Sequence, residues 1–171
     1  KGDRVCIYLP MIPELAISIL ACARIGAIHS VVFAGFSSSA VATRINDSDC
    51  KMVITSDGGY RRNKTIDLKG IIDEALTTCP SVTKVLVAKR INSDVKMTEG
   101  RDVWLQPLLE EASDNNVAEI MDAEDPLFIL YTSGSTGKPK GMVHTTAGYM
   151  VYTAYTFKNV FNYEENDIYW C

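Results

Sequence analysis

Short, almost wholly apolar segments alternate with longer segments of helical periodicity along most of this 171-residue chain. The segments 4–9 and 83–89 are rich in β-branched residues and predict strands. Between the strands, apolar residues recur at intervals of three and four and predict helices. Strands that are apolar throughout are typical of a parallel sheet covered on both faces. The pattern therefore predicts an α/β fold in which a largely parallel sheet is flanked by helices.

The boundaries of the elements follow from periodicity and from turn residues. One helix is expected to begin between Pro10 and Pro13 and to stop at Gly26, and a second, capped by serines, to end near Asn46. Residues 57–64 and 91–101 are expected to be loops. The strands are predicted at 4–9, 27–33, 51–56, 83–89, 126–131 and 140–145, and further helices at 67–78, 102–112 and 147–161.

Composition and charge exclude several classes of protein. Hydrophobic residues make up 47% of the chain and charged residues 22%, as in an ordinary globular protein. The net charge of −4 argues against binding nucleic acid through bulk positive charge. No apolar run approaches the ~18 residues that cross a bilayer, so we expect no membrane partner.

The cysteines indicate a reducing, cytoplasmic environment. They are widely spaced and form neither a CxxC pair nor a cluster with histidine, so no metal site is expected. Most lie in apolar segments, where a free cysteine behaves as a small hydrophobic residue. The five are Cys6, Cys22, Cys50, Cys79 and Cys171.

The segment TSGSTGKPKG, residues 132–141, interrupts the apolar pattern directly after a predicted strand. Its glycines let the backbone approach a ligand closely, and successive N–H groups can then converge on an anion. It is not a Walker A loop, because Pro139 stands where that motif needs Ser or Thr. A flexible surface turn remains the alternative. Hydroxyl and ammonium donors are supplied by Thr132, Ser133, Ser135, Thr136, Lys138 and Lys140.

A second polar loop, residues 57–64, carries three basic side chains beside Gly58 and Gly59. Arg61 and Arg62 could clamp a phosphate, because guanidinium groups offer paired donors to phosphate oxygens. A solvated basic turn remains open. Of the two histidines, His29 is predicted to be structural, and the role of His144 stays open. No catalytic residue is assigned.

Residues 131–141, YTSGSTGKPKG, carry the signature of the adenylate-forming enzymes. The flanking segments 1–37 and 127–149 closely resemble acetyl-CoA synthetases within that family, and the resemblance runs over nearly the whole chain. It implies that residues 1–171 are part of the large N-terminal AMP-binding (adenylation) domain. It also implies that the chain is an internal fragment lacking the small C-terminal domain.

The resemblance implies an AMP-forming acetate–CoA ligase that uses ATP, Mg²⁺, acetate and coenzyme A. The family's catalytic lysine is expected in the missing C-terminal domain, so this chain alone is expected to be inactive. A propionate– or other short-chain acyl–CoA ligase, or a nucleotide-binding module without ligase chemistry, stays open.

The resemblance also assigns ligands to residues. ATP phosphates are placed on Thr132, Ser133, Gly134, Ser135, Thr136, Gly137 and Lys140. Coenzyme A is placed on Phe33, Ala34, Gly35, Arg61, Arg62, Asn63 and Lys64. Many relatives have glycine where Ala34 stands, and Lys64 keeps the charge, but not the forked geometry, of the family's basic residue.

Overall fold

The computed structural model describes residues 1–133 and 137–169. The amino-terminal part consists of β1 (Arg4–Ile7), α1 (Pro13–Arg24), β2 (Ile28–Val31), α2 (Ser38–Ser48) and β3 (Met52–Ser56). It continues with β4 (Gly59–Arg61), β5 (Lys64–Ile66), α3 (Leu68–Leu76), β6 (Lys84–Ala88) and β7 (Asp102–Trp104). The last elements are α4 (Leu105–Glu111), β8 (Pro126–Thr132), β9 (Lys140–Thr145) and α5 (Thr146–Asn159).

Within the described residues, seven strands form one sheet in the order β7-β6-β3-β1-β2-β8-β9. Every neighbouring pair is parallel except β8 and β9, which are antiparallel. The predicted α/β fold with a largely parallel sheet is therefore confirmed, as is the strand predicted at residues 140–145.

Helices cover both faces of this sheet. On one face α2 and α3 bury Val41, Ile45 and Ile72 against strands β1, β3 and β6. On the other face α1 and α4 pack on the opposite side chains of those strands, including Ile7, Ile54 and Ala88. Strands buried on both faces explain why the strand segments are apolar throughout.

The helix ends follow local chemistry. Pro13 is the first residue of α1, where its missing N–H costs nothing, and Gly26 follows the helix with a φ of +69°. The Ser37 hydroxyl accepts a hydrogen bond from the Ala40 N–H, and the Asp67 carboxylate accepts one from Gly70. The predicted stop at Gly26 and the serine cap are thus confirmed.

The connections that follow β1 and β3 leave the sheet toward opposite faces. The chain after β1 enters α1, whereas the chain after β3 leads through β4 and β5 to α3 on the other face. Because β1 and β3 are neighbours, a crevice opens outside their carboxyl ends. In open α/β sheets, ligands bind at such a topological switch point.

Two expectations about local structure were wrong. Residues 57–64 are not an open loop, because β4 begins at Gly59 and pairs with β5 as an antiparallel hairpin that extends to Ile66. Residues 102–104 do not begin a helix; they form strand β7, which pairs with β6 and leaves α4 to start at Leu105. In both places, strand pairing overrides the local sequence preference.

The last helix, α5, is largely exposed. Helix α5 contains no buried residue, and Val151, Tyr152 and Tyr155 are each about two-thirds exposed. None of the described helices is long and apolar enough to cross a membrane.

Candidate functional site

The candidate site lies at the edge of the sheet where the parallel strands β1, β2, β3 and β8 end. The chain leaves β2 into residues 33–35, β3 into the β4–β5 hairpin, and β8 into the glycine-rich loop. The sheet therefore brings the predicted phosphate loop and the predicted coenzyme A residues to one edge, although they are far apart in sequence.

The base of the glycine-rich loop is closed by strand pairing. Thr132, the last residue of β8, lies opposite Lys140, the first residue of β9. Gly137 has a φ of +81°, a backbone conformation that side chains disfavour, and a Cβ there would meet nothing within 4 Å. Its conformation, rather than space, therefore favours glycine. The predicted phosphate-binding residues Gly134, Ser135 and Thr136 lie outside the described residues.

A cavity of about 380 Å³ separates the described part of this loop from helix α2. Ser133 and Gly137 line it on the loop side, and Arg44 is the charged residue that lines it from α2. Thr132, Ser133, Gly137 and Lys140 are all exposed. The full lining is Ser39, Ala40, Thr43, Arg44, Ser133, Gly137 and Pro139. The cavity is thus open to solvent, polar and positively charged on one wall.

The strand that leads into the loop is anchored to α2. The Tyr131 hydroxyl donates a hydrogen bond to Asp47, with an Oη–Oδ2 distance of 2.6 Å. Arg44 lies 5.6 Å above the Tyr131 ring and 4.6 Å above that of Phe36. These contacts hold the end of β8 in place, and no motif in the sequence indicates them.

The predicted coenzyme A residues of the basic loop lie on the β4–β5 hairpin. Arg61 and Lys64 are directly paired across it, so that two positive charges stand side by side. Arg62 lies at the tip in the left-handed region, with a φ of +54°, and Asn63 completes the two-residue turn. All four side chains are exposed.

The turn after β2 packs against this hairpin. The N–H groups of Gly35 and Phe36 both donate to the Phe33 carbonyl oxygen. Arg61 lies 5.9 Å above the Phe33 ring. A Cβ at Gly35 would collide with the Phe33 ring and come within 3.1 Å of the Arg61 guanidinium. A larger residue where the turn and the hairpin meet would therefore have to displace the Phe33 ring.

Turn and hairpin enclose a cavity of about 240 Å³ at the switch point between β1 and β3. Most of the residues that line it are apolar, and the charged residues among them are Arg61 and Arg90. No acidic side chain lines it among the described residues. We call this cavity the arginine slot; it is lined by Pro10, Met11, Ile12, Phe33, Ala34, Gly59, Tyr60, Arg61, Ile66, Leu68 and Arg90.

The loop that carries Arg90 is built around a buried carboxylate. The Asp57 side chain is fully buried and accepts hydrogen bonds from the N–H groups of Gly58 and Arg90, at 2.8 and 2.7 Å. It also accepts from Ile91 and Ser93, at 3.1 Å each. Four backbone donors thus satisfy this charge without a cation. Asp57 and Arg90 were not predicted, although both follow predicted strands at this edge.

The histidines lie away from the slot and the loop. His29 is buried, its ring stacks on Phe128 at 5.3 Å, and burial lowers its pKa. Within the described residues its Nδ1 has no hydrogen-bond partner. The His144 ring stacks on the other side of Phe128, with 4.4 Å between the ring centroids. His144 lies opposite Phe128 in the pairing of β9 with β8, four residues before the loop begins at Thr132. Both histidines pack against Phe128.

The chain is similar to known proteins over its whole length. A family model described as "AMP-binding enzyme" matches residues 1–171. Acetyl-coenzyme A synthetase of Escherichia coli (strain K12) is 60% identical over 174 aligned residues, which cover all of this chain and 26% of the relative. Acetyl-coenzyme A synthetase of Nostoc linckia is 57% identical over 171 residues, 51% of its length.

A solved structure is also similar. Acetoacetyl-CoA synthetase from Streptomyces lividans superposes with a TM-score of 0.83 and 27% sequence identity, over 92% of this chain and 24% of that one. The chain thus spans about a quarter of the E. coli relative and of this structure, and about half of the Nostoc relative.

Proposed function

Because the chain belongs to the family of AMP-binding enzymes, whose model matches all of its residues, we propose that the complete protein is an AMP-forming acetate–CoA ligase. The observation that carries the proposal is the 57–60% identity, over the entire chain, to relatives named acetyl-coenzyme A synthetase. Residues 1–171 would then form part of its AMP-binding N-terminal domain, with a C-terminal domain outside this chain.

The proposed reaction has two steps. An acetate oxygen attacks the α-phosphorus of ATP, the bond to the bridging oxygen breaks, and pyrophosphate leaves as acetyl-AMP forms. The thiol of coenzyme A then attacks the acetyl carbon, the bond to AMP breaks, and the thiol proton is released. Acetyl-CoA and AMP are the products.

The glycine-rich loop is proposed to hold the β- and γ-phosphates of ATP. Developing negative charge on the leaving pyrophosphate would meet fixed N–H and hydroxyl donors, the usual source of stabilisation in phosphoryl chemistry. The positive wall at Arg44 and the strand pairing at the base of the loop support this role. Within the described residues Lys140 makes no ion pair, so its charge is available to the nucleotide.

The arginine slot and the hairpin beside it are proposed to bind the nucleotide end of coenzyme A. A mostly apolar lining suits a purine ring, and the guanidinium of Arg61 suits a phosphate. Its position between the ends of β1 and β3 is where an α/β sheet offers a ligand site. This supports the assignment of Phe33, Ala34, Gly35, Arg61, Arg62, Asn63 and Lys64.

Mg²⁺ is expected to reach the site with ATP. No group of three potential metal-ligating side chains occurs within residues 1–133 and 137–169, so we assign no residue of this part of the chain to the metal. A cytoplasmic location is proposed, and the four buried free thiols Cys6, Cys22, Cys50 and Cys79 support a reducing compartment.

The proposal is tested by acid-dependent exchange of pyrophosphate into ATP by the complete enzyme, without coenzyme A. Acetate, propionate, butyrate and acetoacetate are compared in parallel. We expect exchange to be fastest with acetate. Exchange fastest with another acid would keep the chemistry and change the substrate, whereas no exchange with any acid would refute the ligase proposal.

A pair of variants tests the loop. Lys140→Ala should slow the exchange by about tenfold, because it removes a charge-assisted contact to the nucleotide. Lys158→Ala, an exposed lysine in the last turn of α5, should leave the exchange unchanged. Equal rates for the two variants would contradict the assignment of Lys140.

A further inference from the structure

We propose that Arg90 binds the 3′-phosphate of coenzyme A together with Arg61, and that Asp57 positions Arg90 for this contact. The inference rests on the proposed function, because it takes coenzyme A as the ligand of the arginine slot. It adds a binding residue from the connection after β6, which lies two strands away from β1 in the sheet.

Arg90 shares the slot with Arg61 but belongs to a different element. Its guanidinium carbon lies 5.7 Å above the ring of Tyr60, the residue next to Arg61 in β4. Neither arginine forms an ion pair with any described residue, and no acidic side chain lines the slot. Two arginines that line one small cavity without an acidic neighbour in its lining favour a dianionic phosphate as the ligand.

The backbone around Arg90 is fixed from beneath. Asp57 accepts from the N–H groups of Arg90, Ile91 and Ser93, and so binds the start of this loop to the chain immediately before the hairpin. Asn92, between two of these donors, is in the left-handed region with a φ of +55°. A turn held by a buried carboxylate keeps the base of Arg90 at a constant position relative to β4. The backbone of Arg90 therefore loses little conformational entropy when the phosphate binds.

The neighbouring Lys89 provides a natural control. Its Nζ lies 5.1 Å above the Trp104 ring and does not line the slot. Lys89 and Arg90 thus carry the same charge at adjacent positions but face different surroundings. General electrostatic attraction would make the two residues equivalent, whereas a contact with one phosphate would not.

The experiment measures the KM for coenzyme A and for dephospho-coenzyme A, which lacks the 3′-phosphate, in the complete enzyme. Arg90→Ala should raise the KM for coenzyme A about tenfold and that for dephospho-coenzyme A less than about twofold. Arg90→Lys should recover part of the loss, and Lys89→Ala should change neither KM. Acetate-dependent pyrophosphate exchange should be the same in all variants.

Two results would overturn the proposal for Arg90. One is an unchanged KM for coenzyme A in Arg90→Ala; the other is an equal change for both forms of coenzyme A. Absence of acetate-dependent pyrophosphate exchange in the unmodified enzyme would instead refute the proposed function. Failure of the Arg90 proposal and failure of the proposed function are therefore distinguishable.

The role of Asp57 is tested by a double-mutant cycle. Asp57→Asn replaces one acceptor oxygen by an NH₂ group that faces N–H donors, and should raise the KM for coenzyme A with exchange unchanged. In an enzyme that already carries Arg90→Ala, Asp57→Asn should raise the KM for coenzyme A by a further factor of less than about two, because the two residues act through one contact. Additive effects would show that Asp57 does not act through Arg90.

Discussion

Lys69 carries a deeply buried charge, and its removal should destabilise the chain strongly. Its side chain is 1% exposed, and its ammonium group lies 2.7 Å from Asp73 and 2.9 Å from Asp102, whose side chain is 0% exposed. It also donates to the Lys96 carbonyl oxygen at 2.9 Å. Arg101 contacts both carboxylates, so two cations and two anions form one network.

The substitution Lys69→Met keeps the length of the side chain and removes its charge. It leaves Asp102 buried with only Arg101 as a cationic partner. Breaking a buried pair from one side costs about 3–5 kcal/mol. Because Arg101 remains, we expect the lower end, about 3 kcal/mol, in the free energy of unfolding. Urea unfolding of the chain at pH 7, followed by circular dichroism, measures it.

The control is the same substitution in an exposed pair. Lys51 lies 2.7 Å from Asp49, but the two side chains are 43% and 55% exposed. Lys51→Met should therefore cost less than about 0.5 kcal/mol, since water screens the pair and each ion keeps its hydration. A cost for Lys69→Met below about 1 kcal/mol, or equal to that of Lys51→Met, would refute the reasoning from burial.

The pH dependence gives a second test of the same network. Burial raises the pKa of Asp102, but hydrogen bonds from Arg101, Lys69 and the Thr98 N–H lower it more, to about 2. An unfolded aspartate titrates near ~3.9, so this group stabilises the fold above about pH 4 and the contribution is lost as pH falls toward 2. The loss is worth about 2 kcal/mol. It should be smaller in Lys69→Met, and equal acid sensitivity would contradict the assigned cause.

Three further outcomes follow from local geometry. Tyr131→Phe removes the hydrogen bond to Asp47 and should slow pyrophosphate exchange severalfold without changing the KM for coenzyme A; an equal effect on both would argue against anchoring of the loop. Gly58→Ala would place a Cβ 2.7 Å from the Ile66 carbonyl oxygen, and should raise the KM for coenzyme A about tenfold with exchange intact. An unchanged KM there would mean that the hairpin can shift freely. Burial raises the pKa of the Cys22 thiol to about 11. At pH 8 its reaction with a disulfide reagent should therefore be about a hundredfold slower in the folded chain than in urea, because the thiolate is the reactive form. Equal rates in the two conditions would refute the burial of Cys22.

The fold and much of the candidate site could be predicted because they depend on local patterns. Apolar segments with helical segments between them are sufficient to indicate a parallel sheet, and the glycines and hydroxyl residues of 132–141 mark a loop suited to anions. The β4–β5 hairpin was missed because a run of Arg, Asn and Lys has little strand preference. This run forms the tip of a hairpin because the flanking residues Gly59 and Ile66 pair above the core.

Arg90 and Asp57 were missed for a different reason. Nothing in the sequence around residue 90 distinguishes an arginine in a ligand slot from one in solvent. Its position after a predicted strand could have suggested the ligand edge, since the carboxyl ends of parallel strands lie together. Which of the polar residues at that edge face one another depends on strand order, and strand order is not encoded in any local pattern.

By itself, the sequence determined the α/β class, the caps of the helices, the presence of a glycine- and hydroxyl-rich segment after β8 and the family to which the chain belongs. These properties depend on residues that are close together along the chain. Only the tertiary structure decided that β1 lies between β2 and β3, that residues 33–35 and the hairpin therefore share one slot, and that Arg90 joins them. The physical reason is that burial of apolar surface and strand pairing act between distant segments, and the order of strands that satisfies both fixes which charges become neighbours.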